Sequence, residues 1–568
     1  MTNGKDKAPE TGGAEDVAAQ ATEGILGPNP FIGLRPQDIL ATVGNIGGQA
    51  VKQPMLVLEQ EAALARELIS VLSGTAEIAP SRGDKRFLDI AWKDNPFYRM
   101  SLQGYLAWGS SLSSFVEKSG LDNLTKQRAQ FVVSLLTDAL APTNTLLGNP
   151  AALKRVIDSG GASLLEGFKN LLADLTANRG MPAQVDTTAF QLGKNLALSP
   201  GAVVFRNDVL ELIQYAPATG EVYARPQMIV PPQINKYYVF DLSPGRSIVE
   251  YLVQNGFQVF VVSWRNPTPA QSDWDMSTYV AALLESIAAV RDITGAEDVN
   301  LDGACSGAMT VAALLGHLAA KRQKLVHAAT LMVAVFAANA ESLLGLFATP
   351  EIIAAAKRNS RLKGVLDGQE MGRVFAWMRP NDLVWNYWVN NYLMGNPPPA
   401  FDILYWNNDA TRLAAKFHGQ LIDIFVDSQF QKPGVFEILG TPIDLSEVDC
   451  DKYVVAGITD HITPWKGVFS TARTFGGETD FVLTSSGHIQ SLVNPPGNPK
   501  ARFSLNPDLP ESAEDWLAAA REVSGSWWDH WREWLAGHSG EIRAAPQSLG
   551  NERYKPGAKA PGTYVIEP

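Results

Sequence analysis

Hydrophobic and polar positions follow one pattern before about residue 200 and a different one after it. In the first part, apolar residues recur at the three- and four-residue spacing of amphipathic helices, and prolines separate the segments. The clearest predicted helices cover residues 55–72, 126–140 and 164–176. This pattern predicts a mostly helical N-terminal domain over residues 29–200, and no catalytic motif appears in it.

From residue 201 onward, short continuous apolar runs alternate with helical segments. The predicted strands lie near residues 228–230, 258–263, 299–302, 329–336, 452–456 and 481–483. Such strands, separated by helices, are typical of a parallel sheet that is covered on both faces. Helical and aromatic-rich sequence interrupts the alternation over residues 338–447. We therefore predict an α/β catalytic domain over residues 201–568, with a cap subdomain inserted at 338–447.

Composition narrows the possible partners and the compartment. The 568 residues carry a net charge of −12, which argues against a nucleic-acid partner because such binding needs clustered Lys and Arg. The two cysteines are too few for a disulfide framework or a Cys-rich metal site, and they fit a reducing compartment. No secretory signal precedes the helical part, and residues 1–28 are predicted to be a disordered tail. The longest apolar run, near residues 328–338, is too short to span a bilayer, so we expect a cytoplasmic protein.

The strongest chemical signal is the sequence Gly-Ala-Cys-Ser-Gly at residues 303–307. It matches the G-x-S-x-G nucleophile elbow, a sharp strand-to-helix turn that exposes its central side chain, with cysteine in place of serine. The context fits, because a strand-like run precedes it and apolar residues at helical spacing follow it. Cys305 is therefore the predicted nucleophile. A buried structural cysteine beside two turn glycines is the alternative.

A cysteine nucleophile needs a base to generate its thiolate, and His488 is the best-placed histidine. It follows the last predicted parallel strand, at the edge where active-site residues of α/β sheets gather. Asp460 follows the preceding strand and is the predicted acid partner. We expect Thr463 to cap the next helix and Pro464 to lie in its first turn, which leaves Asp460 free for the site. His461 is a rival base, ranked lower because the order nucleophile, acid, histidine needs a histidine after the last strand.

An oxyanion hole is predicted from two backbone N–H groups. One belongs to Ser306, directly after the nucleophile, and the other to the loop that follows the strand ending near residue 230. In that loop Ile234 is the candidate donor. The second cysteine, Cys450, lies at the start of a strand far from any motif and is predicted to be structural.

With these residues placed, the chain from about residue 29 to its end resembles the polyhydroxyalkanoate synthases, most closely the class II enzymes that polymerise medium-chain monomers. The resemblance rests on seven short motifs. They are residues 141–145 (Ala-Pro-Thr-Asn-Thr), 231–236 (Pro-Pro-Gln-Ile-Asn-Lys), 263–267 (Ser-Trp-Arg-Asn-Pro), 303–307, 377–382 (Trp-Met-Arg-Pro-Asn-Asp), 460–465 (Asp-His-Ile-Thr-Pro-Trp) and 487–490 (Gly-His-Ile-Gln). The family fold is the α/β-hydrolase fold with an inserted cap.

The resemblance implies a set of roles and partners. Cys305 would carry the acyl chain, His488 would act as its base, and Asp460 would be an essential acid residue that orients His488 or activates the monomer hydroxyl. The substrate would be an (R)-3-hydroxyacyl-CoA and CoA the product, with no cofactor. The family also implies a homodimer at the surface of polyester granules, beside granule-associated proteins.

One position departs from the family, and two rival functions stay open. Where the family box continues with a second glycine, this chain has Ala308, for which we expect an altered rate or chain-length preference. The nearest rival is a cysteine thioesterase or hydrolase on the same fold. The rival from another class is a non-catalytic granule scaffold, against which the intact set of Cys305, Asp460 and His488 argues.

Overall fold

The computed structural model describes residues 36–81, 84–178, 180–337, 349–368, 380–460 and 462–567. The chain divides into two compact units. One consists of Leu34–Asp186 and Val374–Ala400, and the other of Thr187–Arg373 and Phe401–Pro568. These limits differ from the predicted ones at residue 200 and at 338–447. The predicted disordered tail, residues 1–28, lies outside the described residues.

The helical unit is built from helices whose first turns are marked in the sequence. Proline is the first residue of four of them, where its missing N–H costs no hydrogen bond. The side chains of Asn95, Asp122 and Asn149 cap three helices by accepting backbone N–H bonds. The helices are α1 Pro36–Lys52, α2 Pro54–Leu72, α3 Ala91–Asp94, α4 Pro96–Lys118, α5 Asn123–Ala139, α6 Pro150–Asp158 and α7 Ala162–Ala177. All three predicted helices are present.

The described residues 380–400 group with the helical unit because α7 packs closely on the π-helical segment Trp388–Leu393. A Cβ atom added to Gly167 would lie 2.0 Å from the carbonyl oxygen of Tyr392, so only glycine permits this approach. The hydroxyl of Tyr392 also donates a 2.7 Å hydrogen bond to Asp174. Contacts between residues more than two hundred positions apart divide the predicted cap, and the local pattern gives no sign of them.

The second unit contains a sheet of ten described strands. They are β1 Gly201–Arg206, β2 Leu210–Tyr215, β3 Gln227–Val230, β4 Val259–Trp264, β5 Val299–Ala304, β6 Val326–Met332, β7 Asp451–Gly457, β8 Thr479–Thr484, β9 Arg502–Leu505 and β10 Arg521–Ser524. Their order across the sheet is β1-β2-β4-β3-β5-β6-β7-β8-β9-β10. The six central strands, in the order β4-β3-β5-β6-β7-β8, are parallel. The pairings outside them, which involve β1, β2, β9 and β10, are antiparallel.

The central strands β3, β4 and β5 are buried along their whole length, as their continuous apolar runs predict. One predicted strand is displaced. The run at residues 329–336 forms β6 only as far as Met332, because Val333 has a φ of 46° and turns the chain out of the extended conformation. Short two-stranded pairings among the described residues join Glu221–Tyr223 to Ile542–Ala544, Val365–Leu366 to Leu413–Ala414, and Glu437–Ile438 to Thr441–Pro442.

Helices connect the strands and also occur between β6 and β7. They are α8 Ile248–Gln254, α9 Met276–Thr294, α10 Ser306–Ala320, α11 Pro350–Lys363, α12 Asp402–Asn408, α13 Ala415–Val426, α14 Trp465–Ala472, α15 His488–Leu492, α16 Ala513–Ala519 and α17 Trp527–His538. The carboxyl ends of parallel strands meet at one edge, so the loops after β3, β5, β7 and β8 come together there. Within the described part of the chain, no helix combines the length and apolar character needed to cross a membrane.

Candidate active site

Cys305 lies between the end of β5 and the first residue of α10, at the predicted strand-to-helix turn. Its φ of 50° and ψ of −122° place a non-glycine residue in a strained conformation. Such a turn holds the side chain out at the sheet edge, and the thiol is neither fully buried nor paired in a disulfide. The predicted elbow is therefore present around the predicted nucleophile.

The two glycines of the elbow are required by close packing. A Cβ atom on Gly303 would lie 2.7 Å from the Cα atom of Ala308, within the first turn of α10. A Cβ atom on Gly307 would lie 2.3 Å from the carbonyl oxygen of Val230 and 2.5 Å from that of Pro231. Ala308 is fully buried, so its methyl group is accommodated in the helix packing behind the elbow. Its effect on rate or chain-length preference stays a prediction.

Asp460 and His488 meet at the ends of β7 and β8. Nδ1 of His488 lies 2.7 Å from Oδ2 of Asp460, and both side chains are almost completely buried. Adjacent parallel strands bring the two loops together, as the order of the motifs predicts. Because the carboxylate can only accept, Nδ1 of His488 carries a proton and Nε2 is left for chemistry.

Three further donors hold the Asp460 carboxylate. The backbone N–H groups of Ile462 and Thr463 donate to Oδ1 at 2.9 and 3.0 Å, and the hydroxyl of Thr463 donates to Oδ2 at 2.7 Å. The expectation that Thr463 caps the next helix is wrong. Pro464 occupies the cap position of α14 without a side-chain bond, and the Thr463 hydroxyl binds the Asp460 carboxylate instead.

Opposing effects set the charges of this pair. Burial lowers the pKa of His488, but the charge and hydrogen bond of Asp460, with a smaller effect of the neighbouring Cys305, outweigh burial and raise the pKa to about 10. Burial raises the pKa of Asp460, but the charge and hydrogen bond of His488 outweigh burial and keep this pKa below its ordinary value. The buried carboxylate therefore stabilises the imidazolium that forms when His488 takes up a proton.

The loop after β3 packs against the elbow. The backbone N–H of Gln233 donates to the Ser306 hydroxyl at 3.1 Å, and its side-chain amide donates to Thr310 in α10 at 3.0 Å. Ile234, the predicted second oxyanion donor, is the next residue and is buried. The loop and the start of α10 are thus brought together, while the oxyanion role of the Ser306 and Ile234 N–H groups stays a prediction.

The other reactive residues fall outside this arrangement. Cys450 lies just before the first residue of β7, at the strand end opposite Asp460. Burial is the main reason that its pKa is raised to about 11, which suits an unreactive thiol. The rival base His461 lies outside the described residues. The sequence motifs miss two polar residues near the site. Thr463 is expected in a helix cap, and Thr411 is distant in sequence from every motif.

Comparison with protein families agrees with this geometry. Residues 83–252 match the model of the poly-beta-hydroxybutyrate polymerase (PhaC) N-terminus. Residues 229–495 match the model of the alpha/beta hydrolase fold, which covers the elbow, Asp460 and His488. The predicted α/β-hydrolase fold with an N-terminal helical region is confirmed.

Individual relatives extend the similarity to nearly the whole chain. Poly(3-hydroxyalkanoate) polymerase 1 of Ectopseudomonas oleovorans is 52% identical over 97% of this chain and 99% of its own length. Poly(3-hydroxyalkanoate) polymerase 2 of the same organism is 51% identical over 95% of this chain and 96% of its own length. The polymerase subunit PhaC of Cupriavidus necator is 39% identical over 87% of this chain and 85% of its own length. Similarity at this level and coverage shows that the chain belongs to the poly(3-hydroxyalkanoate) polymerase family.

Proposed function

We propose that the chain polymerises (R)-3-hydroxyacyl groups from CoA thioesters, with Cys305 as the covalent carrier. The observation that carries this proposal is the buried Asp460–His488 pair, which lies at the same sheet edge as the elbow that holds Cys305. The medium-chain monomer class rests on the motif resemblance and on the two Ectopseudomonas relatives. Every step uses groups of the chain itself, so no cofactor is needed, and CoA leaves as product.

In the first half-reaction, Nε2 of His488 takes the proton of the Cys305 thiol, and the resulting thiolate attacks the carbonyl carbon of the acyl-CoA thioester. The tetrahedral oxyanion accepts hydrogen bonds from the Ser306 and Ile234 N–H groups. Collapse breaks the bond to the CoA sulfur, which leaves with a proton from His488. One thioester replaces another, so the acyl group stays activated for the next transfer.

In the second half-reaction, a 3-hydroxyl group attacks the Cys305 thioester. His488 accepts the hydroxyl proton, an ester bond forms, and the Cys305 thiolate is released. We assign Asp460 the role of orienting and stabilising His488. Its oxygens already accept from His488, Thr463 and the N–H of Ile462, which leaves no free position for a monomer hydroxyl.

The test is an assay of purified chain with (R)-3-hydroxyoctanoyl-CoA that measures released CoA and precipitated polyester together. We expect both products from the natural chain and from the control Cys450→Ala, and neither from Cys305→Ala. CoA release with only free hydroxy acid would identify a thioesterase instead. Release of neither product, also with shorter acyl-CoA substrates, would favour the scaffold. The thioesterase is the less favoured function because relatives matched over nearly their full length are named polymerases.

We also propose that the chain acts as a homodimer at the surface of polyester granules in the cytoplasm, where granule-associated proteins would be its neighbours. Support comes from the family resemblance. Co-sedimentation of the chain with isolated granules, and sedimentation equilibrium of the free protein, test the location and the dimer separately.

A further inference from the structure

The loop after β3 must be held rigidly if Ile234 is to donate to an oxyanion. Donors work only when they lie about 2.7–3.1 Å from the position of the developing charge. The loop begins with Pro231 and Pro232, which have no N–H groups and so cannot anchor it through backbone donation. Its anchors therefore have to come from elsewhere in the fold.

One such anchor is the segment at residues 406–411. Its first three residues end α12, and the other three follow that helix. The indole N–H of Trp406 donates to the carbonyl oxygen of Lys236 at 2.6 Å. Asp409 accepts a 2.9 Å hydrogen bond from Tyr238 and forms a 2.9 Å ion pair with Lys236. These contacts hold the end of the loop that is distant from the elbow.

Thr411 reaches the part of the loop that contains the predicted donor. Its hydroxyl donates to the carbonyl oxygen of Gln233 at 2.5 Å, and its backbone N–H donates to the carbonyl oxygen of Ile234 at 3.1 Å. All three residues are buried: the exposed fraction is 3% for Gln233, 7% for Ile234 and 5% for Thr411. Little water competes for these bonds.

The bond to Gln233 determines the direction of the Ile234 N–H. The Gln233 carbonyl and the Ile234 N–H belong to one planar trans peptide group, so they point in opposite directions. Fixing the carbonyl toward Thr411 turns the N–H away from Thr411. On the other side, the Gln233 N–H is bound to the Ser306 hydroxyl, which ties the same residue to the elbow.

We propose that Thr411 is a positioning residue that orients the Gln233–Ile234 peptide as an oxyanion donor for the Cys305 reaction. This role rests on the proposed function, which needs an oxyanion hole. It also couples the donor to the inserted region, since any displacement of the segment at 406–411 moves the peptide. The contact spans 178 positions in the sequence, and no local motif marks it.

The test compares Thr411→Val, which keeps the shape and removes the hydroxyl, with Thr411→Ser, which keeps the hydroxyl. We expect Thr411→Val to lower kcat for CoA release about 10- to 100-fold with KM changed less than about twofold, since removal of a whole donor costs 10²–10³. Thr411→Ser is expected to retain at least about a third of the natural kcat. Inhibition by an acyl aldehyde, which forms a tetrahedral adduct with Cys305, should weaken in Thr411→Val by the same factor as kcat/KM.

The matched control is Asp402→Asn, at the start of the same helix α12. Asp402 binds Ser243 and Arg246, not the residues at 231–236, so its loss should leave kcat within about twofold. If Thr411→Val does not fold, Asp409→Asn replaces it and should show a smaller fall in kcat at unchanged KM. An equal loss in Asp402→Asn, a loss in Thr411→Ser as large as in Thr411→Val, or no loss in either threonine variant overturns the proposal. Retained activity in Cys305→Ala would instead contradict the proposed function.

Discussion

Nδ1 of His488 lies 2.7 Å from Oδ2 of Asp460, and almost no part of either side chain reaches solvent. In such surroundings each charge is stabilised by the other, because removal of one side chain leaves the other charge buried and uncompensated. The carboxylate also determines which nitrogen of the imidazole carries the proton. The Asp460 carboxylate therefore controls both the orientation and the protonation of His488.

Asp460→Asn should lower kcat for CoA release by about 10³- to 10⁴-fold, because an amide can no longer hold the required tautomer or stabilise the imidazolium. The measurement is the initial rate of thiol release at saturating substrate. Asp449→Asn, a change at an exposed aspartate outside the site, is the control and should be nearly neutral. A loss of less than tenfold in Asp460→Asn would argue against the orienting role.

The two thiols should differ in reactivity toward iodoacetamide at pH 7.5. Cys305 lies beside His488 and is predicted to react first, whereas burial raises the pKa of Cys450 to about 11 and keeps it protonated. Peptide mass spectrometry of the time course measures both rates. His488→Gln should slow labelling of Cys305 at least about tenfold and leave Cys450 unchanged. Faster labelling of Cys450 would contradict this assignment.

Asp302 should make the protein less stable as the pH rises. It lies in β5, three residues before Cys305, and burial raises its pKa to about 7, against a smaller opposing effect of Thr330. The unfolded state, with an ordinary pKa near 4, is the stronger acid, so the free energy of unfolding falls as pH rises from about 4 through 7. The predicted loss by pH 8.5 is of the order of a few kcal/mol.

Urea unfolding at pH 5 and pH 8.5 tests this effect. Asp302→Asn cannot ionise, so it should be more stable than the natural chain at pH 8.5 and should lose that advantage at pH 5. The exposed Asp208→Asn is the control and should follow the natural chain at both values. Equal pH dependence in the natural chain and Asp302→Asn would show that the Asp302 carboxyl does not titrate in this way.

Gly307→Ala should destabilise the protein by about 1–3 kcal/mol or more, because the added methyl meets the carbonyl oxygens of Val230 and Pro231, which are backbone atoms with little freedom to move. Thermal unfolding measures the loss. Gly419→Ala, inside α13, is the matched control, because nothing lies within 4 Å of the added methyl. That change should stabilise the protein by about 0.5–1 kcal/mol through helix propensity. Similar effects of the two changes would contradict the proposed crowding at the elbow.

The elbow was predictable because its requirements are local. A strand, a tight turn with small residues and a helix follow one another, and Gly303 and Gly307 show where the backbone packs too closely for a side chain. The pairing of Asp460 with His488 was also predictable, since residues after adjacent parallel strands share one sheet edge. The exact role of Thr463 was not, because the same sequence is compatible with a helix cap and with a carboxylate donor.

The sequence by itself therefore determined the α/β class, the elbow around Cys305 and the placement of Asp460 and His488 at one sheet edge, since these depend on periodicity and on short motifs. Tertiary structure alone decided that residues 380–400 group with the N-terminal helices, that β6 ends at Met332, and that Thr411 holds the Gln233–Ile234 peptide. The physical reason is the large separation in sequence between the residues that make these contacts. Hydrogen bonds and close packing between distant segments depend on where the whole chain places them, and hydrophobic periodicity reports only which face of an element is buried.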